Sequence, residues 1–422
     1  MRSVARIPRL RALLGAFAVN GLGDWLGEIA LSLIVLHLTG SVLALTAVWV
    51  LGRFAPAIVA PALVARLRRI PRADAALPLL LAGEGMLFAL TAAAWPIMPP
   101  TAILAIALAD GVLALSARSL LKAAAATASR PAGLQREAVQ AIITVFALTT
   151  TIGPLLAGIV TSMLGPSMAL ALDAASFAVA ATFAGGGARA AVHDSADPEC
   201  SVRRAVAHLR GHALLARLCV IEGIAAAAFS MILPIEVAYV TRTLGGSATD
   251  AGLVLGAWGL GAVAGSGGLR TLRRAPLPLL LCAALAVMAI SYAGMGLAVG
   301  IPMVAGFSLL GGIGNGIEPF AFTACVQEHT AAALQAEVTA VIEALQTAAP
   351  GVGFIAGGAL AAFASPRAAY LVAAAAVVVL LAALGRELAG SRAEHSLHSA
   401  VGPGINARRR ARAGVAAKVA SV

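Results

Sequence analysis

The chain has 422 residues, of which 60% are hydrophobic and 12% charged, with a formal net charge of +11. A water-soluble domain carries roughly 25% charged residues, so the composition excludes a soluble globular protein and places the chain in a bilayer. It also excludes a disordered chain, and Cys200, Cys219, Cys282 and Cys325 lie too far apart for a disulfide scaffold or a metal site.

Sixty per cent of 422 residues is about 253, the content of about twelve spanning helices at ~20 residues each. A hydropathy pass predicts spans at 10–38, 41–65, 75–96, 101–122, 137–163, 166–187, 212–241, 249–269, 276–297, 300–326, 335–363 and 367–385. The expectation is an all-α integral membrane protein with little room for an extramembrane catalytic domain. The first span follows an Arg-rich start and contains Ala16-Phe17-Ala18, which imitates a signal peptide with its cleavage site. Cleavage would leave eleven spans and reverse the orientation of the rest, against the loop charges, so the span is read as retained.

With the N-terminus on the cytoplasmic side, that side collects Arg2, Arg6, Arg9 and Arg11, then Arg66, Arg68, Arg69 and Arg72, then Arg118, Lys122, Arg130 and Arg136. It also takes Arg189, Arg203, Arg204, Arg210, Arg217, Arg270, Arg273, Arg274 and every basic residue after Arg386. Only Arg242 and Arg367 fall outside, and Arg53 falls within a span. This positive-inside bias predicts both termini in the cytoplasm. It also assigns the Arg408-Arg409-Arg410 tail to anionic lipid rather than nucleic acid.

The polar interval from Gly185 to His212 divides the spans six and six. The predicted domains are an N-terminal six-helix half (1–187), a cytoplasmic linker (188–211), a C-terminal six-helix half (212–386) and a basic, disordered tail (387–422). At an offset of 200, Leu134, Gln135, Glu137, Ile142, Gly153, Gly158 and Pro166 meet Leu334, Gln335, Glu337, Ile342, Gly353, Gly358 and Pro366. At an offset of 204, Val50-Leu51-Gly52 meets Val254-Leu255-Gly256, and Arg66 and Arg69 meet Arg270 and Arg273. The pairs include Gln, Glu, Pro and Arg, so they indicate a duplication, with a pseudo-two-fold axis between the halves and a midplane cavity.

Charge inside a span costs a few kcal/mol or more, so each such residue is a functional candidate. In span 1, Asn20, Asp24 and Glu28 follow one another at i, i+4 and i+8, on one helical face that must turn inward. Arg53 in span 2 lies within ~3 Å of the same depth, which predicts a buried network of Arg53 with Asp24 or Glu28, two carboxylates facing one cation. Such a network is either a static ion pair or a carboxylate that takes up a proton on one side and releases it on the other. Further candidates are Glu84, Asp110, Asp173, Glu222, Glu236 and Glu318, with Asn315 on the Glu318 face. Glu222 and Glu236 are too far apart along span 7 to share a site. The run Gly311-Gly312-Ile313-Gly314-Asn315-Gly316 follows no strand, so it reads as close helix packing or a bendable gate rather than a dinucleotide loop. No cofactor, metal site or catalytic triple is expected.

Several stretches resemble the major facilitator superfamily, and within it the drug:proton antiporter branch that includes macrolide-efflux and siderophore-export proteins. Gly21-Leu22-Gly23-Asp24 through Leu38-Thr39-Gly40-Ser41 is similar to that branch's first-helix signature. Leu172-Asp173-Ala174-Ala175-Ser176-Phe177 resembles its sixth-helix signature, and Gly314-Asn315-Gly316 fits its tenth helix. Gly153-Pro154-Leu155-Leu156-Ala157-Gly158 is similar to the antiporter motif, with Ala157 where a second Gly is usual. One departure is the loop after span 2, Pro61 to Arg69, where Ala65 or a neighbour stands at the place of an acidic residue and the basic residues Arg66 and Arg69 remain. A weaker cytoplasmic charge lock would shift the balance of inward-open and outward-open states.

The resemblance implies a monomeric, multi-pass transporter of the inner (cytoplasmic) membrane whose partners are a small-molecule substrate, protons and lipid. The leading expectation is proton-coupled efflux of amphipathic molecules. Asp24, Glu28, Arg53, Glu222 and Glu318 are the coupling candidates, and Asn20, Trp25, Phe54, Asp110, Trp258 and Asn315 the cavity candidates. Arg66, Arg69, Gly153, Pro154, Gly158, Asp173, Gly314 and Gly353 are the conformational motifs. The alternatives are an importer or facilitator of a polar metabolite, and a non-transporting scaffold or sensor of the same fold.

Overall fold

The structure is a computed structural model that describes residues 6–57, 59, 63, 73–185, 206–269, 275–330 and 334–385. The loop basics Arg66, Arg69, Arg270, Arg273 and Arg274, Ala65, most of the linker and the 387–422 tail lie outside the described residues.

A backbone in hydrocarbon must satisfy its polar groups internally, and the described spans are accordingly helical. The first is α1 (Pro8–Thr39), with Leu10, Leu13 and Ala16 buried in the core across the signal-like stretch. Gly40 ends it at φ +65°, a left-handed turn that suits glycine. Helix α2 (Val42–Trp49), capped by Ser41, runs into a π-helical turn at Val50–Phe54. Helices α3 (Ala73–Ala94) and α4 (Pro100–Ser129) follow. The stretch Gln135–Gly185 is two helices, α5 (135–164) and α6 (166–185), joined at Gly165 with φ +83°, and Pro166 opens the second.

Helix α7 starts as Ala213–Ser230 and breaks there, where Pro234 blocks the hydrogen bond to the Ser230 carbonyl. It resumes as Leu233–Ala238 and closes with a second π-helical turn, Tyr239–Thr243. Helix α8 (Ala248–Gly268) begins in a capping box of Ser247 and Asp250. Then come α9 (Leu277–Leu297), α10 (Ile301–Glu328), α11 (Gln335–Phe363) and α12 (Pro366–Gly385). Among the described residues ten helical stretches are long and apolar enough to cross a membrane. One of these is the folded pair α5–α6, and Val42–Phe54 is a shorter apolar helix. Their outer faces expose Leu79, Met86, Val220, Ile290 and Val379, side chains suited to lipid.

The apolar core falls into two main clusters. One draws only on residues of α1–α6; the other draws on 209–384, joined by Leu36, Leu45 and Trp49. Between the two groups, α5 meets α8 through glycines: a Cβ at Gly158 would strike the Ala248 carbonyl and Gly252, and one at Gly252 would strike the Pro154 carbonyl. Helix α2 meets α11 in the same manner, Thr46 against Gly358, Trp49 edge-on to Phe354, and Phe54 over Gly351. Arg242 of α7 donates to the carbonyls of Gly40 and Leu36 at the end of α1, at 2.7 and 2.6 Å. These crossings run from mid-bundle to the end that carries the α1–α2, α7–α8 and α11–α12 connections.

The glycine run of α10 packs closely on its neighbours. Gly312 and Gly316 abut the α8 backbone at Trp258 and Ala262, Gly311 meets Ser291, and Gly314 faces Ala284 and Met288 of α9. Gly153 lies against the Trp25 ring, and Gly353 against Ala227 and Ser230. In each case a side chain would occupy space that the neighbouring helix already fills.

Candidate functional site

Two of the cavities between the described helices lie one on each side of Arg53. The first, about 200 Å³, is walled by α1, α2, α3 and α4. The inward face of α1 delivers Asp24 and Glu28 to it. Glu28 accepts from Arg53 at 2.5 Å, and Asp24 accepts from Arg118 at 2.5 Å and from the Asn20 amide at 3.3 Å. The Arg53 guanidinium also lies over the Trp49 ring, 5.1 Å from its centre, a cation–π contact that fixes the arginine from a second side.

Arg118 corrects the sequence reading, which counted it with the basic residues of the cytoplasmic side near the end of the predicted span 101–122 and left two carboxylates facing one cation. Helix α4 runs to Ser129, beyond the predicted limit at 122. Arg118 therefore sits well inside it and faces Asp24. Each carboxylate has its own arginine, and both guanidiniums are partly exposed, with side chains 43% and 39% accessible.

Behind these pairs stand acids with little compensation. Asp110 lines the cavity with Oδ1 unpartnered among the described residues. Glu84 is fully buried and neither of its oxygens has a described partner. Asp173 is fully buried against Gly23 and Gly27, and the Ser176 hydroxyl donates to it at 3.4 Å. The two glycines of α1 make room for that carboxyl.

The second cavity, about 470 Å³, is walled by α2, α7, α10 and α11. It gathers Phe54, Glu222, Asn315 and Glu318 and adds Gln346, a residue the sequence reading passed over. Gln346 donates to Glu222 at 2.6 Å. A Gln eleven residues inside the predicted span 335–363 was the signal for it. Glu236 is buried apart from this cavity, toward the other end of α7. Trp258 lines neither cavity; it stacks on Phe229 and Tyr292 at 5.2 and 5.9 Å. Trp25 likewise packs at the junction of α1, α5 and α8 with Ile29, Ala157 and Leu255.

Comparison with known proteins agrees with this geometry. Residues 218–414 match the family profile described as Major Facilitator Superfamily. No curated protein sequence matches the chain. Among solved structures, a point mutant of the nucleoside transporter NupG is similar at a TM-score of 0.70 and 14% identity, over 90% of this chain and 99% of that one. A bacterial homologue of the human lysosomal transporter Spinster, inward-facing and unoccupied, gives 0.67 and 11%, over 89% and 95%. A bacterial homologue of the iron transporter ferroportin, inward-facing, gives 0.66 and 16%, over 90% and 98%. At such identities the likeness is one of fold, and the chain is a multi-pass helical membrane protein built on the fold of these transporters.

Proposed function

We propose that the chain is a twelve-pass secondary transporter of the major facilitator kind that exports amphipathic small molecules in exchange for protons. On this reading α1–α6 and α7–α12 are the two halves, both termini lie in the cytoplasm, and the protein resides in the inner membrane. The observation that carries it is the pairing of Asp24 with Arg118 and of Glu28 with Arg53 around a cavity inside an apolar bundle. Charge at that depth is costly unless it is used. The crossings between helix groups support the two halves. Under the sequence duplication α5 corresponds to α11 and α8 to α2, and the α5–α8 contact is repeated as α11–α2.

A proton arriving on Asp24 cancels its charge and releases Arg118 from the pair. The freed guanidinium then favours whichever arrangement of the halves offers it another anion or water, which is how a proton biases an alternating-access equilibrium. Closure at the end carrying the α1–α2 connection, together with the positive-inside bias, corresponds to an inward-open state. The similar structures include a nucleoside transporter and homologues of a lysosomal and an iron transporter, so the fold itself does not select a substrate. The apolar lining around few polar groups favours an amphipathic one.

The test is accumulation of a fluorescent lipophilic compound and a small antibiotic panel in a pump-deficient bacterium, with and without a protonophore, beside the Asp24→Asn variant. Lower accumulation reversed by both the protonophore and the substitution is the expected result. Efflux by Asp24→Asn that stays protonophore-sensitive would remove Asp24 from the coupling path. Protonophore-insensitive equilibration would indicate a facilitator, and absence of any flux from inserted protein a scaffold or sensor.

A further inference from the structure

The second cavity has the chemistry of a cation site. Glu222 of α7 and Glu318 of α10 both line it. Two buried carboxyl groups at one cavity need a compensating positive charge. Both are more than nine-tenths buried, 4% and 7% exposed, and Glu222 Oε2 has no partner among the described residues. No described arginine or lysine pairs with either acid. Arg53, at the rim, is held by Glu28 and Trp49 on the other side. The other titratable groups acting on the pair are Cys219, one turn away on α7, and Tyr292 of α9.

Two prolines add acceptors to the same wall. Pro319 in α10 and Pro350 in α11 both line the cavity. A proline inside a helix supplies no donor to the carbonyl four residues earlier. Those carbonyls belong to Asn315 and Gln346, also in the wall. Three rings, Phe54, Phe229 and Phe354, also line the cavity.

We propose that this cavity, between α2 and the C-terminal helix group, is the binding site for an organic cation, whose charge lies between Glu222 and Glu318 and whose apolar body lies against Phe54, Phe229 and Phe354. An inorganic ion would need six or more oxygens drawn to about 2.0–2.6 Å, whereas a space of about 470 Å³ with aromatic walls accommodates a molecule. The inference rests on the transporter reading for its purpose but not for its binding chemistry.

The experiment is fluorescence anisotropy of ethidium, a permanently charged aromatic cation, with the purified full chain in detergent. The expected result is saturable binding weakened roughly tenfold or more in Glu222→Gln and in Glu318→Gln, the loss typical of removing a charged partner. Glu328→Gln, at the far end of α10, should leave it unchanged. Gln keeps the size of Glu and removes its charge, and an unaltered melting temperature confirms that the variants fold. Binding indifferent to both substitutions would overturn the proposal. So would equal affinity for an uncharged phenanthridine, or displacement of ethidium by micromolar Mn²⁺. Intact, Glu-dependent binding without efflux from cells would sink the export reading and leave this site standing.

Discussion

Replacing Gly158 by Ala should loosen the closed end of the bundle. The added Cβ would stand 2.5 Å from the Ala248 carbonyl oxygen, 3.0 Å from the Gly252 Cα and 3.1 Å from the Thr249 Cα. Non-bonded carbons settle at about 3.5–4.0 Å, so α5 and α8 must part by roughly 1 Å. All three neighbours are backbone atoms of another helix, so no side chain can turn aside. Overpacking of this kind costs about 1–3 kcal/mol. If the opposite state lacks the contact, the ratio of the two states shifts by about 5- to 150-fold. Spin labels at Ile97→Cys and Val299→Cys, 87% and 88% exposed in loops of the two helix groups, would read the separation in a background without native cysteines. Gly158→Ala should transfer population to longer distances, while Gly185→Ala, with nothing within 4 Å of its Cβ, should not. An unchanged distance distribution for Gly158→Ala would refute the close approach of α5 and α8.

The Asp24–Arg118 pair is partly exposed, at 19% and 39%. Its coupling should therefore fall between that of a surface pair and that of a buried one, about 1–3 kcal/mol. A double-mutant cycle of Asp24→Asn and Arg118→Gln, followed by denaturant unfolding, checks this; Arg118→Gln alone should be the less stable because it strands Asp24, and strict additivity would contradict it. Arg242→Gln removes the charge from two hydrogen bonds at the end of α1. The predicted loss is roughly 1.5–3 kcal/mol, seen with the same spin labels as opening, and a distribution like that of the parent would show that Arg242 is no latch.

The all-helical, many-spanning character was legible because burying a helix in lipid imposes a length and a composition that a window can count; among the described residues ten stretches meet it. The face of α1 was legible too, since Asn20, Asp24 and Glu28 at four-residue spacing can only share one side. Which partner each meets was not, because it depends on the rotation and reach of other helices. Arg118 was counted with the cytoplasmic charges because apolarity fades near 122, the predicted end of its span, yet α4 continues to Ser129. Trp258 and Trp25 read as cavity aromatics from depth alone. Close glycines, Gly311 and Gly312 for the one and Gly153 for the other, let neighbouring helices enclose them. The acid pair of the second cavity joins α7 to α10 across 96 residues of sequence, and no local pattern marks such a meeting.

The π-helical turn of α2 divides one continuous rod into two registers. A wider turn accommodates one residue more than an α-helical turn, so side chains beyond Val50–Phe54 point about 100° away from where regular winding would send them. Before the turn, Thr46 and Trp49 address α11, with Trp49 also at the charged cavity beside α4; from the turn onward, Arg53 and Pro56 address that cavity while Phe54 lies over Gly351 of α11. The second such turn, in α7, carries Arg242 out to the end of α1. A single rod thereby serves two surfaces that straight winding would place on one stripe. Deleting one residue between Val50 and Phe54 would return both surfaces to a single face and swing the guanidinium of Arg53 away from Glu28.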